Sequence, residues 1–177
     1  MTERASSAGG WPDVRTGLGV DVHAFGGPGP VVLGGVRIAY DRGLVGHSDA
    51  DCLFHAAADA LLGAAAMGDI GMHFPDVDAA YAGADSSGLL GRVVEMLGAQ
   101  GWTILHVDTT VVAQEPRISG HREHMRANLA RACGVSVDRA SVKATTTERL
   151  GFPGRSEGIA ALAVATVVRA PLGPSAP

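Results

Sequence analysis

Lysine is almost missing from these 177 residues: Lys143 is the only one, and thirteen arginines supply the remaining positive charge. With 18 acidic residues, a net charge of −4 and no basic run, nothing is available to displace counterions from a phosphate backbone or to grip anionic lipid. A general nucleic-acid or membrane-surface binder is therefore excluded. Only two cysteines occur, Cys52 and Cys133, too few for a disulfide framework. Both lie in apolar helical segments and read as buried thiols of a reducing compartment. The longest uncharged apolar stretch, Gly158 to Val168, falls well short of the roughly 20 residues that cross a bilayer. Residues 1–14 lack the apolar core of a secretory signal. The expectation is a cytoplasmic domain. A 46% hydrophobic and 18% charged composition excludes disorder for its body.

One domain is expected over residues 15–170, between an N-terminal extension (1–14) without periodicity and a Pro-rich tail (171–177). From Arg15 to Phe25 the pattern alternates, with Leu18, Val20 and Val22 on one face and Gly19, Asp21 and His23 on the other; this is a strand with a chemically loaded side. Gly34-Gly35 between Val31–Leu33 and Val36–Tyr40 reads as a hairpin link. Ser48 or Asp49 can cap a helix from about Ala50 to Met67 that is apolar on nearly all sides and so buried. Further helices are predicted over Ser86–Gln100 and His121–Cys133. Strands are predicted over Trp102–Val112, Ser141–Thr146 and Gly158–Val168. Interleaved strands and helices give an α/β (α+β) two-layer sandwich, a mixed sheet with helices on one face plus a β-hairpin. The uncovered sheet face calls for burial by oligomerisation.

Asp21 and His23, two apart on a strand, leave the same face and form half of a metal site. Alone, such a pair is more often a structural or surface pair than a ligand set. His47-Ser48-Asp49-Ala50-Asp51-Cys52-Leu53-Phe54-His55 adds two histidines, and His55 in an apolar helix needs either a core hydrogen bond or a ligand. If His55 faces the strand, Asp21, His23 and His55 make a three-ligand set with one open position, as catalytic zinc uses. Asp51, one turn before His55, would then orient it from behind. Lys143-Ala144-Thr145-Thr146-Thr147-Glu148 offers hydroxyls suited to phosphate and a carboxylate suited to magnesium, or a β-branched strand end with a solvated glutamate. Gly68 to Asp76 is either a helix stop with an exposed loop or a loop carrying ligand contacts.

Six motifs occur in order: Gly19-Val20-Asp21-Val22-His23-Ala24-Phe25, Gly34-Gly35-Val36, His47-Ser48-Asp49-x-Asp51, Gly68-Asp69-Ile70-Gly71, Phe74-Pro75-Asp76 and Lys143-Ala144-Thr145-Thr146-Thr147-Glu148. Through them the chain resembles the 2-C-methyl-D-erythritol 2,4-cyclodiphosphate synthase family of the non-mevalonate isoprenoid pathway, over about residues 15–170. The resemblance implies a metal-dependent phosphorus–oxygen lyase. The 2-phosphate of 4-diphosphocytidyl-2-C-methyl-D-erythritol 2-phosphate attacks its own β-phosphorus and CMP leaves. It implies Zn2+ on Asp21, His23 and His55, with Mg2+ or Mn2+ at Glu148 beside the substrate diphosphate. His47 and Thr146 match transition-state stabilisers. Substrate contacts are implied for Ser48, Asp69, Ile70, Gly71 and the loop Phe74, Pro75, Asp76, Val77, Asp78. Cytidine contacts are implied for Ala113, Gln114, Glu115, Pro116, Arg117, Ile118 and Ser119, and for Ala144, Thr145 and Thr146, with Thr147 a further substrate contact. Phe152 and Arg155 match residues lining a trimer centre or meeting phosphate. Glu115 and Arg117 depart from the small residue and lysine familiar there. The implied assembly is a homotrimer with active sites between subunits, taking a small cytidine diphosphate substrate, with no nucleic-acid or membrane partner.

From the residues alone two other classes stay open. One is a zinc phosphohydrolase that uses a metal-bound water. The other is a non-catalytic trimeric module that binds isoprenoid diphosphates.

Overall fold

The structure, a computed structural model, describes residues 11–75 and 83–170. In chain order its elements are β1 (Asp13–Pro28), β2 (Val31–Leu33), β3 (Val36–Ile38), β4 (Arg42–Leu44), α1 (Cys52–Ala64), α2 (Ile70–His73), α3 (Ser86–Ala99), β5 (Trp102–Val112), α4 (Arg122–Ala132), β6 (Ala140–Thr145), α5 (Gly151–Gly154) and β7 (Gly158–Arg169). A 3-10 turn covers Val137–Arg139. Five strands form one sheet in the order β4-β1-β7-β5-β6, and β2 pairs with β3 in a separate hairpin. All pairings are antiparallel except β5 with β6, so the sheet is mixed, as expected.

Alternation along β1 decides which sheet face the helices cover. Gly17 and Gly19 are buried, whereas Leu18, Val20 and Val22 on the opposite side are 64%, 51% and 49% exposed. The glycine side is inward because α1 lies directly on it. A Cβ on Gly19 would sit 2.0 Å from the Ala56 carbonyl oxygen, and one on Gly17 2.1 Å from that of Ala60. Backbone thus rests on backbone with no side-chain layer between them. The outward side, continued by Val14, Leu162 and Val164, is an apolar sheet face.

Helix α1 is buried on nearly all sides, with Leu53, Phe54, Leu61 and Leu62 inaccessible. Its start differs from the prediction. Ala50 has φ 57° and cannot belong to a right-handed helix, and the cap is Asp51 rather than Ser48 or Asp49. The Asp51 carboxylate accepts hydrogen bonds from the Leu53 and Phe54 amides and from the Gly34 and Gly35 amides of the hairpin link. One buried side chain therefore joins the hairpin to the helix. Burial pushes its pKa up to about 6 against the opposing pull of those amides.

The other predicted elements agree with the structure to within three residues at each end, and β2 and β5 coincide with it. β1 begins at Asp13, inside the expected extension. The short elements β4, α2, α5 and the 3-10 turn are not predicted, because they show no periodicity and, unlike β2 and β3, are not announced by a Gly-Gly link. Residues 1–10, 76–82 and 171–177 lie outside the described residues, and with them most of both expected tails.

Candidate active site

Strand β1 and the first turn of α1 meet at a cluster of three ligand atoms. Asp21 Oδ2 lies 2.9 Å from His23 Nε2 and 3.2 Å from His55 Nδ1, and the two imidazole nitrogens are 3.2 Å apart. Among the described residues this is the one group of three such side chains close enough to share a metal ion. The remaining ring nitrogens fix which lone pairs face inward. His23 Nδ1 is 2.7 Å from the Val45 carbonyl oxygen, which only accepts, so Nδ1 carries the proton and Nε2 presents its lone pair. His55 Nε2 lies 2.9 Å from Ser86 Oγ and 3.1 Å from Ser48 Oγ, leaving Nδ1 toward Asp21. Two nitrogens and a carboxylate oxygen in a triangle of 2.9–3.2 Å edges match one face of a tetrahedron around an ion with ~2.0 Å bonds.

The electrostatics agree. Burial opposes ionisation of Asp21, but hydrogen bonds and charge from His23 and His55 outweigh it and hold the carboxyl well below the usual carboxylate range. Burial lowers the pKa of His23, yet the Asp21 carboxylate and the Val45 carbonyl raise it above the ordinary value. Packed into one spot, the three groups form an electron-rich cluster, and a divalent cation would relieve its crowding.

Asp51 does not orient His55 as predicted, since its oxygens are taken by four backbone amides. The side chain behind His55 is Ser86, with Asp49 behind it, and sequence reasoning missed both in that role. No local spacing links Ser86 to His55; only the packing of α3 against α1 brings them together.

A cavity of about 250 Å³ opens over the triad, lined by Asp21, His23, His47, Ser48, His55, Ile70, Gly71 and Phe74. Phe74 is buried. Asp69 sits at the start of α2, where its side chain caps the Met72 amide at 2.9 Å. Asp59 of α1 accepts the Ile70 amide at 2.8 Å and so ties this short helix to the metal-facing one. Pro75 is exposed, while Asp76, Val77 and Asp78 fall outside the described residues.

The other predicted residues do not join this cluster. Ala113, Gln114, Pro116, Arg117, Ile118, Ser119, Ala144, Thr145 and Thr146 line a second cavity of about 300 Å³ beyond the ends of β5 and β6, and no residue lines both cavities. Glu115 is exposed and accepts a hydrogen bond from the Tyr40 hydroxyl at 3.1 Å. Thr146 Oγ1 donates to Glu148 Oε1 at 2.6 Å, and Thr147 Oγ1 donates to the Leu150 carbonyl. Glu148 and Arg149 both have positive φ (51° and 66°), a conformation costing of order 1–3 kcal/mol per residue. That turn is held by the bond from the Arg149 amide to Gln114 Oε1 at 3.2 Å. Phe152 lies in α5 and is exposed, and Arg155 pairs with Glu157 at 2.8 Å.

The chain matches the YgbB family over residues 14–168. It is 60% identical over 155 residues to the 2-C-methyl-D-erythritol 2,4-cyclodiphosphate synthase of Thioalkalivibrio sulfidiphilus, covering 88% of this chain and 97% of that one. Among solved structures, the bifunctional IspDF from Campylobacter jejuni superposes with a TM-score of 0.86 at 40% identity. That match covers 90% of this chain, which spans only 43% of the bifunctional protein. The CDP complex of IspF from Plasmodium falciparum has a TM-score of 0.79 at 28% identity, covering 92% of this chain and all of that one. By sequence and by fold, the chain belongs to the YgbB family, that of the 2-C-methyl-D-erythritol 2,4-cyclodiphosphate synthases.

Proposed function

We propose that this chain converts 4-diphosphocytidyl-2-C-methyl-D-erythritol 2-phosphate to 2-C-methyl-D-erythritol 2,4-cyclodiphosphate and CMP. The observation that carries the reading is the convergence of Asp21 Oδ2, His23 Nε2 and His55 Nδ1, lone pairs inward, at the floor of a cavity in a member of this family. An oxygen of the substrate's 2-phosphate forms a bond to the β-phosphorus. The bond from that phosphorus to the bridging oxygen breaks, and the oxygen leaves with the α-phosphate as CMP. No protein nucleophile is needed, so the protein's task is positioning and charge neutralisation.

Asp21, His23 and His55 would hold Zn2+, and Glu148 would hold Mg2+ or Mn2+. Bound there, the cations would neutralise phosphate oxygens that otherwise repel one another. His47 at the metal-side cavity and the Thr146 hydroxyl at the other are assigned to the charge that develops on the phosphoryl oxygens. Ser48, Asp69, Ile70, Gly71 and the 74–78 loop are assigned to the erythritol phosphate. Residues 113–119, with Ala144, Thr145 and Thr146, are assigned to cytidine, and Thr147 to the substrate. The CDP carried by the Plasmodium falciparum structure supports a cytidine ligand. Phe152 and Arg155 are assigned to the trimer centre or to the substrate's phosphates.

We further propose a homotrimer in which the cavity of one chain completes that of its neighbour. Two cavities without a shared residue and an exposed apolar sheet face support this assembly. The described residues contain no helix long and apolar enough to cross a membrane. The two free, buried cysteines agree with a cytoplasmic enzyme.

Incubating the protein with the 2-phosphate substrate in oxygen-18 water tests the reaction. Equal amounts of CMP and unlabelled cyclic product are expected. Label in the product would instead show attack by water, and absence of CMP would leave only binding.

A further inference from the structure

His55 is held from behind by a chain of polar groups whose direction the structure determines. Ser86 is the first residue of α3 and is 1% exposed. The capping of that helix is done by Asp85, whose side chain accepts the Ser87 amide, so the Ser86 hydroxyl is free for another partner. Its Oγ donates to Asp49 Oδ1, since a carboxylate only accepts. A hydroxyl has one hydrogen. Having given it to Asp49, Ser86 Oγ accepts from His55 Nε2 at 2.9 Å. Nε2 therefore carries the imidazole hydrogen and Nδ1 is left bare, facing Asp21 Oδ2 and His23 Nε2 at 3.2 Å each. Ser48 Oγ, at 3.1 Å from Nε2, accepts the Ala50 amide at 3.4 Å and has no carboxylate partner of its own.

We propose that Ser86, backed by Asp49, is a positioning residue that sets the tautomer and orientation of His55 for metal binding. This rests on the reading that Asp21, His23 and His55 hold a divalent cation. A negative charge relayed through a hydroxyl makes the ligating nitrogen more basic and fixes the ring plane, and outer partners of this kind are typically worth ten- to a hundredfold in metal affinity. The chain draws on three elements: the segment before α1, α1 itself and the start of α3. The metal site thus depends on a helix that contributes no ligand.

The test is zinc affinity of the whole protein, read by competition with a chromophoric chelator. Wild type is expected to bind one zinc per chain, and Ser86→Ala to bind it ten- to a hundredfold more weakly, with unchanged thermal unfolding of the metal-free form. In the zinc-loaded protein, nitrogen-15 spectra should show a slowly exchanging Nε2 proton on His55 in wild type and a fast one in Ser86→Ala. Asp49→Asn keeps the volume and the Ser86 hydroxyl but removes the charge. A severalfold loss of affinity is expected there, and this variant decides the matter if Ser86→Ala fails to fold. Affinity within threefold of wild type in whichever variant folds, or an unprotected Nε2 proton in wild type, overturns the proposal. A wild type that binds no zinc overturns instead the metal reading beneath it.

Discussion

Gly19→Ala is the smallest change that bears on both fold and metal site. The added methyl carbon would lie 2.0 Å from the Ala56 carbonyl oxygen and 2.6 Å from the Ala60 amide nitrogen, against ordinary contacts above 3 Å. Both obstructing atoms are backbone of α1, so no side chain can rotate aside and the helix must withdraw by about 1 Å. Overpacking of a core generally costs ~1–3 kcal/mol, and with rigid obstacles on the far side the upper end applies, about 3 kcal/mol or more. His55 adjoins Ala56 and Asp21 lies two residues from Gly19, so the same retreat widens the ligand triangle and weakens zinc binding. Urea unfolding of metal-free protein should show a lower midpoint at unchanged slope. Gly91→Ala is the matched comparison. It lies within α3 with nothing within 4 Å of its added carbon, and should stabilise by roughly 0.5–1 kcal/mol through helix propensity. Gly19→Ala unfolding within about 0.5 kcal/mol of wild type, with zinc affinity intact, would refute the backbone-on-backbone argument.

Asp51→Ala leaves four backbone amides without their acceptor and should cost at least about 3 kcal/mol at neutral pH by urea titration; a loss under about 1 kcal/mol would show the clamp to be dispensable. The wild-type Asp51 pKa, raised from 3.8 to about 6, means that the folded form binds a proton the unfolded one releases. Its contribution to stability therefore falls as pH rises from about 4 to 6, and Asp51→Ala should lack that slope. Because the Asp21 carboxylate raises the pKa of His23 above 6.5, protons compete for the metal site near neutrality. Zinc affinity should fall as pH is lowered from about 8 to 6, with proton release seen by calorimetry in buffers of different ionisation heat, and a flat profile would contradict the assignment. Val20→Asp, on the exposed sheet face, should give a folded chain of monomer mass by light scattering, whereas a wild-type mass would place the subunit interface elsewhere. Thr146→Val should retain zinc and lose at least about tenfold in turnover; undiminished CMP release would remove the hydroxyl from the reaction.

The order of the large elements was legible because periodicity and glycine placement announce them. The Gly34-Gly35 hairpin, the all-round apolar α1 and the long strand β5 stand where predicted, within a few residues. The metal triad was legible for a different reason: Asp-x-His on a strand and a histidine in an apolar helix each carry chemistry that needs a partner, and each is the other's best candidate. What failed was assignment among neighbouring acids. Asp49 and Asp51 differ little as letters. Only the positive φ of Ala50 and the approach of the hairpin decide that Asp51 faces amides while Asp49 faces Ser86. Ser86 itself was out of reach, because its partner is 31 residues away and helix packing, which leaves no local period, joins them.

If the proposed trimer forms, cavities with no lining residue in common would divide the work between copies of the chain. In the proposed trimer, each reaction centre draws its metal ligands from one chain and its nucleotide contacts from the next, so competence belongs to the group rather than to the individual. Dilution would then silence turnover before it unravels any fold. Two copies crippled in different cavities could restore one sound centre between them, while a lesion in the greasy sheet face would disable all three centres at once.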